Sequence, residues 1–242
     1  KAEKCIIYTD VEGVYTTDPN LIKSAKKIDK ISYEEMLEMA SLGAKIMQPA
    51  SIQEARLNRI EIDVRSTFSK KIGTTITRKK NIISKNTIRG ISFTKNDSKI
   101  TLIGVKDKPG VAASIFKPLY ENSVNVDMVV QNISANSKET DLTFTIKLED
   151  LSKTRRILEN NNSIKFKKLL VNKNVSKVSI VGVGMITTPG ITYRMFKALA
   201  KEKINIEVIS TSEIKISVLI NKKNLKKSVE ILHQEFKLSN NL

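Results

Sequence analysis

One pattern occurs twice in this sequence and constrains its fold more than any other feature. Residues 100–134 contain a Pro109-Gly110 pair between an alternating run and a helical spacing of apolar residues, and residues 178–213 repeat this around Pro189-Gly190. A period maintained over so many positions indicates duplicated structure. The two Pro-Gly pairs are 80 positions apart, and at the same offset Phe116 matches Phe196, Lys117 matches Lys197, Leu119 matches Leu199 and Asn125 matches Asn205.

Each copy alternates between strand and helix signals. Residues 100–105 alternate and are rich in β-branched side chains, which predicts a strand, and the Pro-Gly pair ends it. The apolar residues that follow, Val111, Ile115, Phe116 and Leu119, have helical spacing. An alternating run and an amphipathic run follow each copy, at 141–158 and 215–232. The pattern predicts an α+β protein with two ferredoxin-like βαββαβ units.

The Pro109-Gly110 loop has two interpretations. It is either a plain strand-to-helix turn or a site for a free amino acid. Gly110 allows close approach to the backbone, and unpaired N–H groups at a helix start favour a carboxylate. Asp107 would then hold the ammonium group. The second loop has no acidic counterpart of Asp107, so we expect the two loops to bind differently.

The positive charge does not by itself indicate a nucleic-acid partner. The net charge is +17 and the isoelectric point about 9.8, but lysine is spread along the whole chain. Aromatic residues make up 5% and tryptophan is absent, so a base-stacking surface is poorly supplied. We therefore predict no nucleic-acid partner.

Single cysteine and histidine residues limit the chemistry that the chain can carry. Cys5 has no partner for an internal disulfide, which favours a reducing, cytoplasmic setting. His233 alone cannot build a Cys/His zinc site, and it lies in a helical run where we expect partial exposure. With one cysteine and one histidine, we also predict no metal site. No apolar run reaches the ~18 residues of a membrane helix, so we predict no membrane partner. The first residues lack both an initiator Met and a secretion signal, which is typical of a fragment.

The N-terminal third contains a turn-rich segment. The short apolar run Cys5–Tyr8 predicts a strand. The segment that follows, Thr9–Asn20, is dense in turn residues, hydroxyls and carboxylates. Such a segment is either a simple hairpin or Ω-type loop, or a nucleotide site in which Tyr15 faces the base or ribose.

A capped helix and further short elements follow. Ser32 and Glu35 form a capping box for a helix over Ser32–Ala44. Lys45 lies just beyond it, to complement the helix dipole or to contact phosphate. The remaining predicted elements are a helix at Ser51–Asn58, a strand at Ile60–Arg65, a loop and short strand at Ser66–Thr77, and a linker, 78–98, whose strand Thr87–Phe93 completes either the first or the second repeat.

These motifs resemble a known family. The tandem strand–x–x–PG–helix–N-[IV]-[DE] pattern resembles paired ACT domains, and NIEVISTSEIKISVLI at 205–220 is similar to the last ACT repeat of bacterial aspartate kinases. YTDVEGVYTTDP, SYEEMLEMASLGAK and VRSTFSKKIGTTI resemble the nucleotide side of the catalytic domain, which has the amino-acid kinase fold. The resemblance runs from about Tyr8 to the C-terminus. It implies the C-terminal part of a kinase domain at 1–80, a first ACT domain at 81–172 and a second at 173–242.

The resemblance also assigns residues to sites. It implies ATP, with Mg²⁺ in the complete enzyme, bound by Thr9, Asp10, Tyr15, Thr16, Thr17, Asp18, Pro19 and Lys45. It implies effector binding by Asp107, Gly110, Val111, Ala112, Asn125, Val126, Asp127 and Gln131 of the first repeat. From the second repeat it implies effector binding by Ile191, Thr192, Asn205, Ile206, Ser212 and Glu213.

The sequence departs from the family in several places. Asn20 stands where the family usually has Arg, and Gln48 and Ala50 replace a usual His and Arg. The family's N-terminal phosphate loop and aspartate-binding residues have no counterpart, so catalytic residues stay unknown.

The implied function is that of an aspartate kinase. The family phosphorylates L-aspartate with ATP, the first step towards lysine, threonine and methionine, and lysine or threonine regulates it at the ACT pair. We expect this chain alone to be inactive and to form a homo-oligomer, most simply a dimer, through its ACT domains. The alternative is a separate regulatory subunit that binds amino acids and has no activity of its own.

Overall fold

The structure is a computed structural model and describes residues 2–44, 46–79, 82, 86–133, 139–161 and 164–239. Lys45, one of the sequence-assigned ATP contacts, lies outside the described residues. The chain forms two compact units. Unit 1 combines Lys1–Thr94 with Lys177–Leu242, and unit 2 is Lys95–Ser176. The domain boundaries drawn from the resemblance remain a prediction.

Unit 1 begins with a small mixed sheet and two helices. The strands are β1 (Lys4–Thr9), β2 (Lys30–Ser32), β3 (Glu61–Ser66) and β4 (Thr74–Thr77), in the order β1-β3-β4-β2. β1 and β3 run parallel, as do β2 and β4, whereas β3 and β4 are antiparallel. The helices are α1 (Tyr33–Ser41) and α2 (Pro49–Asn58). The predicted strands and both predicted helices of this region are therefore confirmed.

Helix α1 starts at the predicted cap. The Ser32 Oγ accepts a hydrogen bond from the Glu35 backbone N–H at 3.2 Å, and the Ser32 N–H donates to Glu35 Oε2 at 3.2 Å. This capping box satisfies two backbone donors that the helix itself cannot pair. Met36 and Met39 bury the apolar face of the helix. The helix ends at Ser41, before the predicted end at Ala44, because the backbone turns away at Leu42.

Unit 2 contains the first repeat. Its elements are the Lys95–Lys106 part of β5 (Gly90–Lys106), α3 (Val111–Glu121), β6 (Val126–Ile133), β7 (Glu139–Lys147), α4 (Leu151–Asn160) and the first part of β8 (Lys168–Val181). The strand order is β6-β7-β5-β8. Phe144 lies at the centre of the core, where its ring meets Phe116 edge to face at 5.3 Å. This is the predicted βαββαβ unit.

The second repeat lies in unit 1. It consists of the last residues of β8, α5 (Ile191–Lys201), β9 (Ile206–Thr211), β10 (Lys215–Asn221) and α6 (Leu225–Glu235). The strand order is β5-β8-β10-β9. One end strand of this arrangement is the first part of β5, and the N–H of Arg89, the residue before β5, donates to Val181 O at 2.7 Å. The sequence had left open which repeat this strand completes, and the expected terminal strand after α6 is absent from the described residues.

None of the helices described is both long and apolar enough to span a membrane.

Candidate functional site

The Thr9–Pro19 segment joins β1 to a short hairpin in unit 1. Tyr15 forms an antiparallel bridge with Lys27, and the Thr16 N–H donates to Lys26 O at 2.8 Å. Near the end of the segment, Asp18 Oδ1 accepts from the Asn20 N–H at 2.8 Å. These contacts give the segment a defined backbone path.

Side chains of this segment divide into accessible and buried groups. Asp10 and Asp18 are exposed, and Thr9, Tyr15 and Pro19 are partly exposed. Burial raises the pKa of the Tyr15 phenol, and the nearby Glu12 carboxylate adds to this, so Tyr15 is a neutral hydrogen-bonding group. These side chains are therefore open to a ligand.

Thr16 and Thr17 are buried instead. Thr16 Oγ1 accepts from the Lys26 N–H at 3.0 Å, and Thr16 O accepts from the Ile91 N–H at 2.7 Å. The Thr17 hydroxyl has no hydrogen-bond partner among the described residues. The sequence assigned both to ATP, but the Thr16 side chain is directed into the protein.

His233 is the buried partner of Thr16, and the expectation that it would be partly exposed was wrong. Its side chain is fully buried, and its Nε2 lies 2.9 Å from Thr16 Oγ1. Burial lowers its pKa, so the ring is neutral. The signal was present in the sequence, because Leu225, Val229 and Leu232 form an apolar stripe that position 233 continues at helical spacing.

A second buried contact that sequence reasoning missed involves Glu35. Its Oε1 accepts from the Val183 N–H at 3.1 Å, and its Oε2 lies 3.8 Å from Arg89 Nε. Arg89 also donates to Lys30 O at 2.9 Å. Burial lowers the pKa of Arg89, and the Glu35 carboxylate opposes that shift. Glu35, which completes the capping box of α1, therefore also binds the loop that follows β8.

In unit 2, the Pro-Gly loop of the first repeat is open to solvent. Asp107 and Gly110 are both exposed, and Gly110 caps α3 with a φ of 86°. The position where a Cβ would sit at Gly110 has no atom within 4 Å. Backbone at the start of α3 is thus accessible beside a carboxylate, as an amino-acid site requires.

Other first-repeat residues lie around the start of α3 and along β6. Val111 and Ala112 form the first turn of α3 and are partly buried. Asp127 Oδ1 accepts from the Met128 N–H at 2.8 Å, at an irregularity in the β6–β7 pairing. The positions assigned on and beside β6 are the exposed Asn125, Asp127 and Gln131 and the partly buried Val126.

The second-repeat residues are not equivalent to those of the first. Gly190 has the same φ of 86°, but Ile191 is buried in the core, so only its backbone is available. Ser212 and Glu213 line a cleft of about 470 Å³ in unit 1. Glu34 and Lys79, which sequence reasoning did not select, line it as well. Thr192, Asn205 and Ile206 lie outside the lining of this cleft.

Two protein-family patterns match this chain. The pattern of the ACT domain family matches residues 100–161 and 178–236, and that of the amino acid kinase family matches residues 1–66. Since the two ACT matches cover half of the chain, fold and sequence define an ACT-domain protein with part of an amino-acid kinase fold before the repeats.

The individual relatives that match this chain are aspartate kinases. The aspartate kinase of Pseudomonas fluorescens is 45% identical over 240 residues, which are 98% of this chain and 58% of that protein. The crystal structure of Clostridium acetobutylicum aspartate kinase matches with a TM-score of 0.87 and 26% identity over 96% of this chain and 54% of that one.

Escherichia coli aspartokinase III also matches, in two states. Its complex with aspartate and ADP has a TM-score of 0.81, and its complex with lysine and aspartate one of 0.77; each is 26% identical and covers 97% of this chain and 52% of that one. The chain belongs to the aspartate kinase family and spans a little over half the length of these relatives.

Proposed function

We propose that this chain supplies the nucleotide side and the amino-acid-sensing part of an aspartate kinase. The complete enzyme transfers the γ-phosphoryl group of ATP to the side-chain carboxylate of L-aspartate, in the cytoplasm. The observation that carries the proposal is the Thr9–Pro19 segment, which exposes Tyr15 and Asp18 on a hydrogen-bonded hairpin in a chain that also contains two ACT repeats. Aspartokinase III, a relative, has been crystallised with aspartate and ADP.

Residues of this segment would bind and orient the nucleotide. Phosphoryl transfer depends mainly on positioning and charge neutralisation. Tyr15 offers an aromatic face and a neutral hydroxyl to the base or ribose, and Thr9 offers a hydroxyl at the end of β1. Thr16 would act through its backbone position, because its side chain faces His233.

Magnesium is not assigned to side chains of this chain. Among the described residues, no group of three or more His, Cys, Asp or Glu side chains could hold a metal ion. Mg²⁺ commonly binds through substrate phosphates and retained waters, so it would arrive with the nucleotide.

Lysine and threonine are the proposed effectors. Backbone N–H groups at the start of α3 would bind the α-carboxylate, and Asp107 an ammonium group. The E. coli relative has been crystallised with lysine. Inhibition would follow if the effector bound two states of the enzyme with different affinities, a coupling of typically about 1–3 kcal/mol.

We also propose homo-oligomers formed through the ACT repeats. β6 is an outer strand and exposes Val129, and β9 is another and exposes Ile209. Outer strands with apolar side chains pair readily with a second chain. A dimer is the simplest such assembly.

The alternative, a separate regulatory subunit without catalytic role, is less well supported. Residues 1–66 of the chain match the amino acid kinase pattern, which a purely regulatory subunit does not need. The two functions differ in one assay. The enzyme completed with the N-terminal part that its relatives carry should release ADP only when L-aspartate is present, with inhibition by lysine or threonine. Absence of aspartate-dependent ADP release from a folded complete enzyme would refute the kinase function.

A further inference from the structure

The His233 side chain of helix α6, in the second repeat, forms a hydrogen-bond contact with the Thr9–Pro19 segment. His233 Nε2 lies 2.9 Å from Thr16 Oγ1, although the two residues are 217 positions apart. Both side chains are fully buried. A hydrogen bond enclosed in this way is shielded from water, so its loss leaves a buried polar group without a partner.

The surrounding hydrogen bonds are compatible with a neutral imidazole ring. The Lys26 N–H already donates to Thr16 Oγ1 at 3.0 Å, so the Thr16 hydroxyl proton is available for Nε2. The other ring nitrogen, Nδ1, lies 3.3 Å from Ser239 Oγ and can carry the ring proton. The neutral Nδ1–H tautomer would accept from Thr16 and donate to Ser239, and the Nε2–H tautomer would make the same two contacts with both directions reversed.

Thr16 is held in three directions. Lys26 fixes it to the hairpin, the Ile91 N–H donates to its carbonyl oxygen at 2.7 Å, and His233 binds its hydroxyl. Tyr15 before it and Asp18 after it are the accessible side chains of the segment. The position of Thr16 therefore contributes, with the Tyr15–Lys27 bridge, to where these two groups lie.

We propose that His233 is a positioning residue for nucleotide binding, acting through Thr16 on Tyr15 and Asp18. This inference rests on the proposed nucleotide role of the Thr9–Pro19 segment. His233 would not touch the nucleotide. Its contribution would appear in nucleotide affinity and not in the rate of phosphoryl transfer, because it orders the binding segment before the nucleotide arrives.

The test compares two substitutions of His233 in the complete enzyme. His233→Phe keeps an aromatic ring of similar size without a hydrogen-bonding atom, and His233→Gln retains an amide that can meet Thr16. His233→Phe should raise the KM for ATP about three- to tenfold, the loss of roughly one buried hydrogen bond, while kcat and the KM for aspartate change by less than about twofold. His233→Gln should recover part of the ATP affinity.

A matched control separates positioning from general destabilisation. Val229 lies in the same helix and is equally buried in the core. Val229→Ala should lower the unfolding midpoint without changing the KM for ATP. An unchanged KM for ATP in folded His233→Phe would overturn the positioning role, as would the same increase in Val229→Ala.

Failure of the underlying nucleotide assignment has a different signature. If Tyr15→Ala raises the KM for ATP and His233→Phe does not, only the positioning role fails. If neither does, both proposals fail.

Should His233→Phe not fold, the His233 imidazole, identified as the resonance that His233→Gln lacks, gives a direct signal in the complete enzyme. Its NMR resonance should shift when MgADP is added, and the Thr16→Ser variant should keep that response. An imidazole resonance whose chemical shift does not change at saturating MgADP would overturn the positioning role.

Discussion

Glu35 and Val183 are joined by a hydrogen bond of 3.1 Å between a buried carboxylate and a backbone N–H, across 148 residues of sequence. The same carboxylate completes the capping box of α1 and faces Arg89. One side chain therefore links the start of α1, the residue before β5 and the loop after β8.

Replacing this carboxylate should destabilise the protein. Glu35→Gln removes the charge that faces Arg89 and weakens a buried acceptor, so the free energy of unfolding should fall by about 1–3 kcal/mol. The measurement is urea denaturation followed by circular dichroism. Glu38→Gln is the control, because Glu38 lies on the same helix in a more accessible pair with Lys215, and its loss should cost less than about 1 kcal/mol. Equal losses in the two variants would contradict this role of Glu35.

His233 should make stability depend on pH. Its folded pKa lies below its ordinary value of 6.5 because the ring is buried. The unfolded chain therefore binds a proton more readily than the folded one, so this stabilising contribution is fully present above pH 6.5 and is lost as the pH falls towards the folded pKa.

Unfolding free energies measured between pH 7.5 and pH 5.5 (about one unit on either side of the ordinary histidine pKa) should decrease, and the decrease should be smaller in His233→Gln. Since the sequence contains a single histidine, no other imidazole contributes to this slope. Identical slopes in both proteins would show that His233 is not buried in its neutral form.

The two Pro-Gly glycines should tolerate alanine with a limited loss. Gly110 and Gly190 both have a φ of 86°, yet no atom lies within 4 Å of an added Cβ. Alanine there meets backbone strain without a steric clash, and each variant should lose about 1–2 kcal/mol by thermal denaturation. Gly73→Ala is the contrasting case, because its Cβ would overlap the Val64 carbonyl oxygen. If Gly73→Ala were no more damaging than the other two, the backbone arrangement described here would be incorrect.

Asp107 should determine effector affinity. Asp107→Asn removes the carboxylate proposed to bind an ammonium group and should raise the Kd for lysine about tenfold, as expected for loss of a charge-assisted hydrogen bond. Glu121→Gln is the control, since Glu121 is also exposed in unit 2 but lies at the far end of α3. Unaltered lysine affinity in Asp107→Asn would remove this residue from the site.

Much of the local structure could be predicted because it depends on neighbouring residues. The Ser32–Glu35 capping box and the Pro-Gly turns are encoded within a few positions. The repeat predicted two βαββαβ units for the same reason. The family resemblance supplied the site assignments, which composition and periodicity alone did not.

Long-range contacts were what the sequence did not reveal. Periodicity does not show that His233 meets Thr16, or that Glu35 meets Val183, since each pair is brought together only by the fold. The end strand of the second repeat also comes from before the first repeat, at Gly90–Thr94, and the local pattern of this segment does not show which repeat it joins.

Isothermal titration of the purified chain with lysine, with threonine and with both together measures directly whether its ACT repeats bind these amino acids. Saturable heat is expected with at least one of the two amino acids, with a Kd for lysine about tenfold higher in a variant carrying Asp107→Asn. Absence of binding heat for lysine, threonine and their mixture with a folded chain would contradict the claim that its ACT repeats sense these amino acids.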